Sequence, residues 1–364
     1  MDSRLEGPLP RIAYSFKQGT FDLKSLAPHL WFEADDGWST AVRLGGHLQS
    51  LFRRIEHLGV VLASAQSGPL STADTWERPS FQWVSHTGEF VEPSSGAEVR
   101  LASLKSVMAV VQEVEDQQVA SLQFFDASGE GGLKLMLTNW SDLDYFEALI
   151  SIHGRAREEG SSRQRLLGGK GNDNDKANAM VVPTRNAVPF EERDEEGAVL
   201  SGFTADMVHP LWSGLSRTLP DSHFPGVPGL LRRDALALAG GQHAWQVSKD
   251  MVLRAMEDMV MRGVALGGAV RNGVSYVPMA FRPKHWNQCG CGQTFFGECT
   301  QFTLRRCCGS AWECWAVCHT NAKGTDEVVC LEFYDSQRRF CGGLGLSTGA
   351  TSGDHACWRG WLEK

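Results

Sequence analysis

The sequence predicts an α+β protein built from two tandem repeats, each a large antiparallel β-sheet with flanking helices. Three observations carry this. An alternating strand pattern, SLQFFD at Ser121–Asp126, returns as CLEFYD at Cys330–Asp335. A helix running directly into a β-prone run occurs once in each half. Between the halves lies a stretch of Gly, Ser, Asn, Asp and mixed charge without periodic apolar residues, which cannot bury enough surface to offset its ordering entropy. The expected organisation is a first repeat over 1–153, a flexible linker over 154–197 and a second, cysteine-rich repeat over 198–364.

Each element follows from local pattern. Leu48, Leu51, Phe52 and Ile55 fall at helical spacing, with Gly59 placed to end the helix and Val60-Val61-Leu62 opening a strand. After the first SLQFFD strand, Ala127-Ser128-Gly129 reads as a turn and Leu133–Leu137 as the returning strand. Ser141-Asp-Leu-Asp then caps a short helix through Ile150, closed by Gly154. In the second half, Val252, Ala255, Met256, Met259 and Val260 repeat the helix, Gly263 its end and Val264-Ala265-Leu266 its strand. Trp358–Leu362 is a poorer copy of the closing helix.

Composition excludes several classes. Thirty-five basic against 43 acidic residues leave a net charge of −8, which argues against a general nucleic-acid or membrane-surface binder. No apolar run is long enough for a transmembrane helix, and MDSRLEGPLPR has no apolar core of a secretory signal, so a cytoplasmic protein not inserted in a membrane is expected. There is no Walker, Rossmann or HExxH motif.

All ten cysteines lie between Cys289 and Cys357. CxC at Cys289 and Cys291 and adjacent Cys307 and Cys308 do not reproduce zinc-site spacing, although residues two apart on a strand share a face and can chelate together. The plainer reading is of small, buried residues in a sheet. A metal or thiol function remains open.

SLQFFDASG with LKLMLT and SDLDYFEALI, and in the second half RRDALALAGGQHAWQV, VRNGVSY, QFTLRR, CLEFYD and CWRGWL, resemble the HemS/ChuS haem-utilisation family in order. The resemblance implies a cytoplasmic haem-binding protein of bacterial haem uptake, with two repeated halves and haem as cofactor. It would either deliver haem or degrade it oxidatively, with an inner-membrane haem transporter or an electron donor as partner. The family's axial histidine matches His209 in DMVHPLWSGL, with Leu211 and Trp212 as porphyrin packing. His223 is the alternative ligand. Pro210 suits the first position of a helix and is awkward inside one. Haem propionates call for cations, for which Arg100, Arg271, Arg305 and Arg306 are candidates. Ala63–Ser67, Cys318-His319-Thr320 and Gly345–Ala350 stand where the family carries other, partly basic segments. A descendant without haem, acting as a binding or metal-handling protein through its cysteines, is the second reading.

Overall fold

The computed structural model describes residues 39–114, 117–154, 203–212, 224, 227–241, 243–289, 292–305, 312–320 and 327–362. The first half contributes β1 (Ser39–Leu44), α1 (Leu48–Phe52), β2 (Gly59–Ser67), β3 (Leu70–Glu77), β4 (Gln82–Val84), β5 (Glu89–Glu92), β6 (Ala97–Arg100), β7 (Ser106–Val114), β8 (Gln117–Phe125), β9 (Gly131–Ser141) and α2 (Leu143–His153). The second contributes α3 (Ala205–Trp212), α4 (Arg232–Ala239), β10 (Ala244–Val247), α5 (Lys249–Arg262), β11 (Leu266–Arg271), β12 (Ser275–Phe281), β13 (His285–Cys289), β14 (Gly292–Phe296), β15 (Thr300–Arg305), β16 (Glu313–Thr320), β17 (Glu327–Tyr334), β18 (Phe340–Leu346) and α6 (Ser352–Leu362).

Two nine-stranded antiparallel sheets result. Sheet A runs β1-β7-β8-β9-β2-β3-β15-β14-β13, and sheet B runs β10-β16-β17-β18-β11-β12-β6-β5-β4. The α+β class and the repeat are thus observed, with one addition. Each sheet takes six strands from one half and three from the other. The exchange joins β15 to β3 and β6 to β12, so the halves interlock through backbone ladders.

The element ends follow the sequence. Asp142 accepts a hydrogen bond from the Tyr145 amide at the start of α2, and Ser248 does the same for Met251 at the start of α5. Gly263 ends α5 at φ +60°, a conformation that a side chain disfavours. The helix expected through Ile55 instead stops at Phe52, and a tighter 3-10 turn over Ile55–Leu58 carries the chain to Gly59. The linker expected over 154–197 lies, apart from Gly154, outside the described residues.

The inner faces of both sheets share one core with α1, α2, α5 and α6, from Leu51, Phe52 and Phe124 to Met256, Phe333 and Trp358. On the outer face of sheet B, α3 and α4 cover the β10-β16-β17 end through Val208, Trp212, Leu236, Trp315, Val317 and Tyr334. No helix among the described residues is long and apolar enough to cross a membrane.

Candidate functional site

The outer face of sheet B holds both a polar cluster and an open floor. Side chains alternate along a strand, so Glu313, Trp315, Val317 and His319 of β16 share this face with Cys330, Glu332 and Tyr334 of β17. Next along the ladder, Glu332 leads to Gly343, Ala269 and Pro278 on β18, β11 and β12. The adjacent row passes through Gly345, Gly267 and Ala280. Three glycines and small neighbours leave a half-exposed trough at backbone level, and glycine in a strand permits such close approach. α4 bounds it on one side. Beyond it, Arg271 pairs with Tyr276 and Tyr276 with Glu98, while Arg100 donates to Glu89 at 3.0 Å.

Beneath α4 lies a buried network centred on Glu332. Arg232 donates from Nε to Oε2 at 2.9 Å and from Nη2 to Oε1 at 2.6 Å, and Tyr334 donates its hydroxyl to Oε2. His319 Nε2 stands 3.7 Å from Oε1. Arg232, His319 and Glu332 are exposed by only 1%, 3% and 2%. Burial opposes charge on Glu332, but Arg232 outweighs it and holds the carboxyl well below the usual range. For His319, burial again disfavours the charged form, yet Cys330 and Glu332 raise its pKa to about 10. On the rim, Arg233 clamps Glu313 at 2.8 and 2.9 Å and lies 5.5 Å from the Trp315 ring centre, fastening α4 to β16.

The residues singled out in the sequence are distributed as follows. His209 is exposed on α3, with Nε2 3.0 Å from the Ala239 carbonyl and its ring 5.2 Å from that of His243. A carbonyl only accepts, so Nε2 carries the proton and the lone pair sits on Nδ1. Pro210 lies inside α3, where it has no N–H for the Asp206 carbonyl. Trp212 is buried and donates to the Cys318 carbonyl at 2.9 Å, so it seats α3 on sheet B, whereas Leu211 is exposed. Arg100 and Arg271 both act on Glu98. Arg305 is on sheet A, donating to Gln66 at 2.8 Å, and occupies there the register position that Arg100 has on sheet B. The sequence grouped these arginines, and the fold puts Arg305 on a different sheet. His223, Arg306, Cys291, Cys307 and Cys308 lie outside the described residues, as does the side chain of Cys289. Cys314 and Cys341 are buried in the core, and burial pushes both thiols up, that of Cys341 to about 12.

Sequence reasoning missed the Arg232–Glu332–His319 network. Its signal was the comparison of the repeats, where Gln123 of SLQFFD becomes Glu332 of CLEFYD.

Residues 31–153 match the family model described as the haemin-degrading HemS.ChuX domain. The first half is thus similar to the HemS/ChuX domain. Its fold extends over most of the chain. The structure is similar to holo-PhuS, a heme-binding protein from Pseudomonas aeruginosa, with a TM-score of 0.67 and 18% identity over 89% of this chain and 86% of that one. It is likewise similar to ChuS, a heme degrading enzyme of Escherichia coli O157:H7, with a TM-score of 0.64 and 15% identity over 89% and 86%. At these identities the likeness establishes the shared fold. No curated protein matches in sequence. The second half, β10 to α6, repeats the first half's order of strands and closing helix.

Proposed function

We propose that this chain binds haem in the trough on sheet B and serves haem uptake and utilisation, delivering haem or degrading it oxidatively. The observation that carries the reading is the floor itself: Gly267, Gly343 and Gly345 side by side form a surface on which a flat macrocycle can lie against backbone. The HemS/ChuX match and the fold shared with a haem-binding and a haem-degrading protein support the same ligand.

The residues present fit haem. His209 would hold the haem iron: with its Nε2–H on the Ala239 carbonyl, Nδ1 is the ring nitrogen left for it. Arg271 and Arg100, at the far end of the trough, would take the propionates, each competing with the nearby carboxylates of Glu98 and Glu89. Trp212 seats the helix that carries His209. Bound haem would supply the redox and oxygen chemistry. The chain's share is to orient the ring and keep its edge cations in place. His223 is the alternative ligand, and Arg305 and Arg306 are the remaining candidate cations. The protein would work in the cytoplasm, with an inner-membrane haem transporter or an electron donor as partner.

A hemin titration followed by the Soret band tests the reading. A saturable one-to-one complex is expected, with His209→Ala shifting the band and weakening binding. Featureless, non-saturating uptake overturns haem binding. A His209→Ala spectrum and affinity equal to wild type, with loss instead in His223→Ala, overturns the ligand assignment. Supplying reductant and O₂ then separates carrier from enzyme by whether the band persists.

A further inference from the structure

We propose that His319, Cys330 and Glu332 form a binding site for a borderline-soft divalent cation of the zinc type, with Arg232 and Tyr334 orienting the carboxylate. One ligand atom from each of the three residues lies within 4.8 Å of the others. The Nε2–Oε1 separation of 3.7 Å is a few tenths of an ångström above the spacing of a nitrogen and an oxygen ligand on one tetrahedral zinc, about 3.3–3.5 Å for bonds of about 2.0–2.2 Å. Imidazole, thiolate and carboxylate together are a zinc donor set, and three protein ligands leave a fourth position for water. Nδ1 of His319 is buried without a hydrogen-bond partner, so on the described residues the ring is held only through its approach to Cys330 and Glu332. Glu332 takes both Arg232 bonds and the Tyr334 bond from outside the cluster, the arrangement by which outer partners aim a ligating carboxylate.

The duplication supplies an internal control. Ser121 and Cys330 are equivalent in the SLQFFD and CLEFYD strands, and Gln123 is equivalent to Glu332. Val110 pairs with Ser121 as Val317 pairs with Cys330, so Gln112, two residues on, is equivalent to His319. In the first half the same three sheet positions hold Gln112, Ser121 and Gln123, which hydrogen-bond to one another and are poor ligands for zinc. In the second half all three are metal ligands. A common sheet geometry does not require that change.

The test uses the haem-free chain, so its outcome is separate from that of the hemin titration. Cobalt(II) is added first, as a spectroscopic substitute for zinc. A thiolate-to-metal charge-transfer band that saturates and is reversed by zinc is expected. Cys330→Ser and His319→Gln, whose replacements already occupy the equivalent positions of the first half, should lose it, while Cys299→Ser in an exposed turn keeps it. Tyr334→Phe, matching Phe125, should weaken binding roughly tenfold or more. Survival of the band in Cys330→Ser overturns the proposal. Zinc should also slow alkylation of Cys330 in the unmodified chain, read by peptide mapping, so the assignment does not depend on a variant that folds. Equal labelling of Cys330 with and without zinc overturns it as well.

Discussion

Arg232 grips Glu332 through two hydrogen bonds of 2.9 and 2.6 Å in a place where both are almost fully removed from water. Removing one member leaves a buried charge unanswered, which costs about 3–5 kcal/mol, whereas replacing both with neutral groups costs far less. Arg232→Ala should therefore lower the unfolding free energy by about that amount. Arg232→Met with Glu332→Gln should recover most of it, since Gln123 already stands at the equivalent position of sheet A. Urea denaturation of the single and double variants decides. If the double variant is as unstable as Arg232→Ala, the loss comes from packing rather than from the uncompensated carboxylate.

His319 makes stability fall on the alkaline side. Its pKa is raised in the fold from 6.5 to about 10. A raised folded value means its stabilisation is complete below 6.5 and drains away as pH climbs through about 10. Wild type should lose stability relative to His319→Gln between pH 6.5 and 10. Parallel denaturation midpoints for the two proteins at the ends of that window would disprove the coupling.

Lys134 acts in the opposite sense. It is 1% exposed on β9, and burial pushes its pKa down from 10.5 to about 7. The folded state then binds fewer protons than the unfolded chain between those values, so stability rises with pH across them. Below about 7 the penalty is complete, and it is on the order of a few kcal/mol. Lys134→Met should be more stable than wild type at pH 7, with the gap closing by pH 10.5. A gap that does not change with pH would assign the gain to packing alone.

The repeat was legible in the sequence because alternation marks a strand wherever one face is buried: SLQFFD and CLEFYD became β8 and β17. The exchange of β4–β6 and β13–β15 between sheets was not legible. Alternation in β5, where Phe90 is buried and Val91 half-buried, tells which side faces the core, and nothing local names the edge that β6 or β15 will join. His209 was found by motif, but its contact with Ala239 depends on how α3 leans on α4. The Glu332 network was hidden for the same reason. Its members come from α4, β16 and β17, and only the sheet register brings His319 beside Cys330 and Glu332.

That register also makes the trough testable without touching any polar residue. An added Cβ at Gly345 would meet the Cys330 Cβ at 3.4 Å, an ordinary contact, and no positive φ demands glycine there. A branched side chain suits a strand. Gly345→Val should therefore leave the melting temperature close to wild type while raising a ridge across the floor. Haem affinity should drop at least about tenfold, the equivalent of 1.4 kcal/mol. Retention of wild-type affinity in a folded Gly345→Val protein would move the haem site off this face of sheet B, and with it the roles assigned to Arg271 and Arg100.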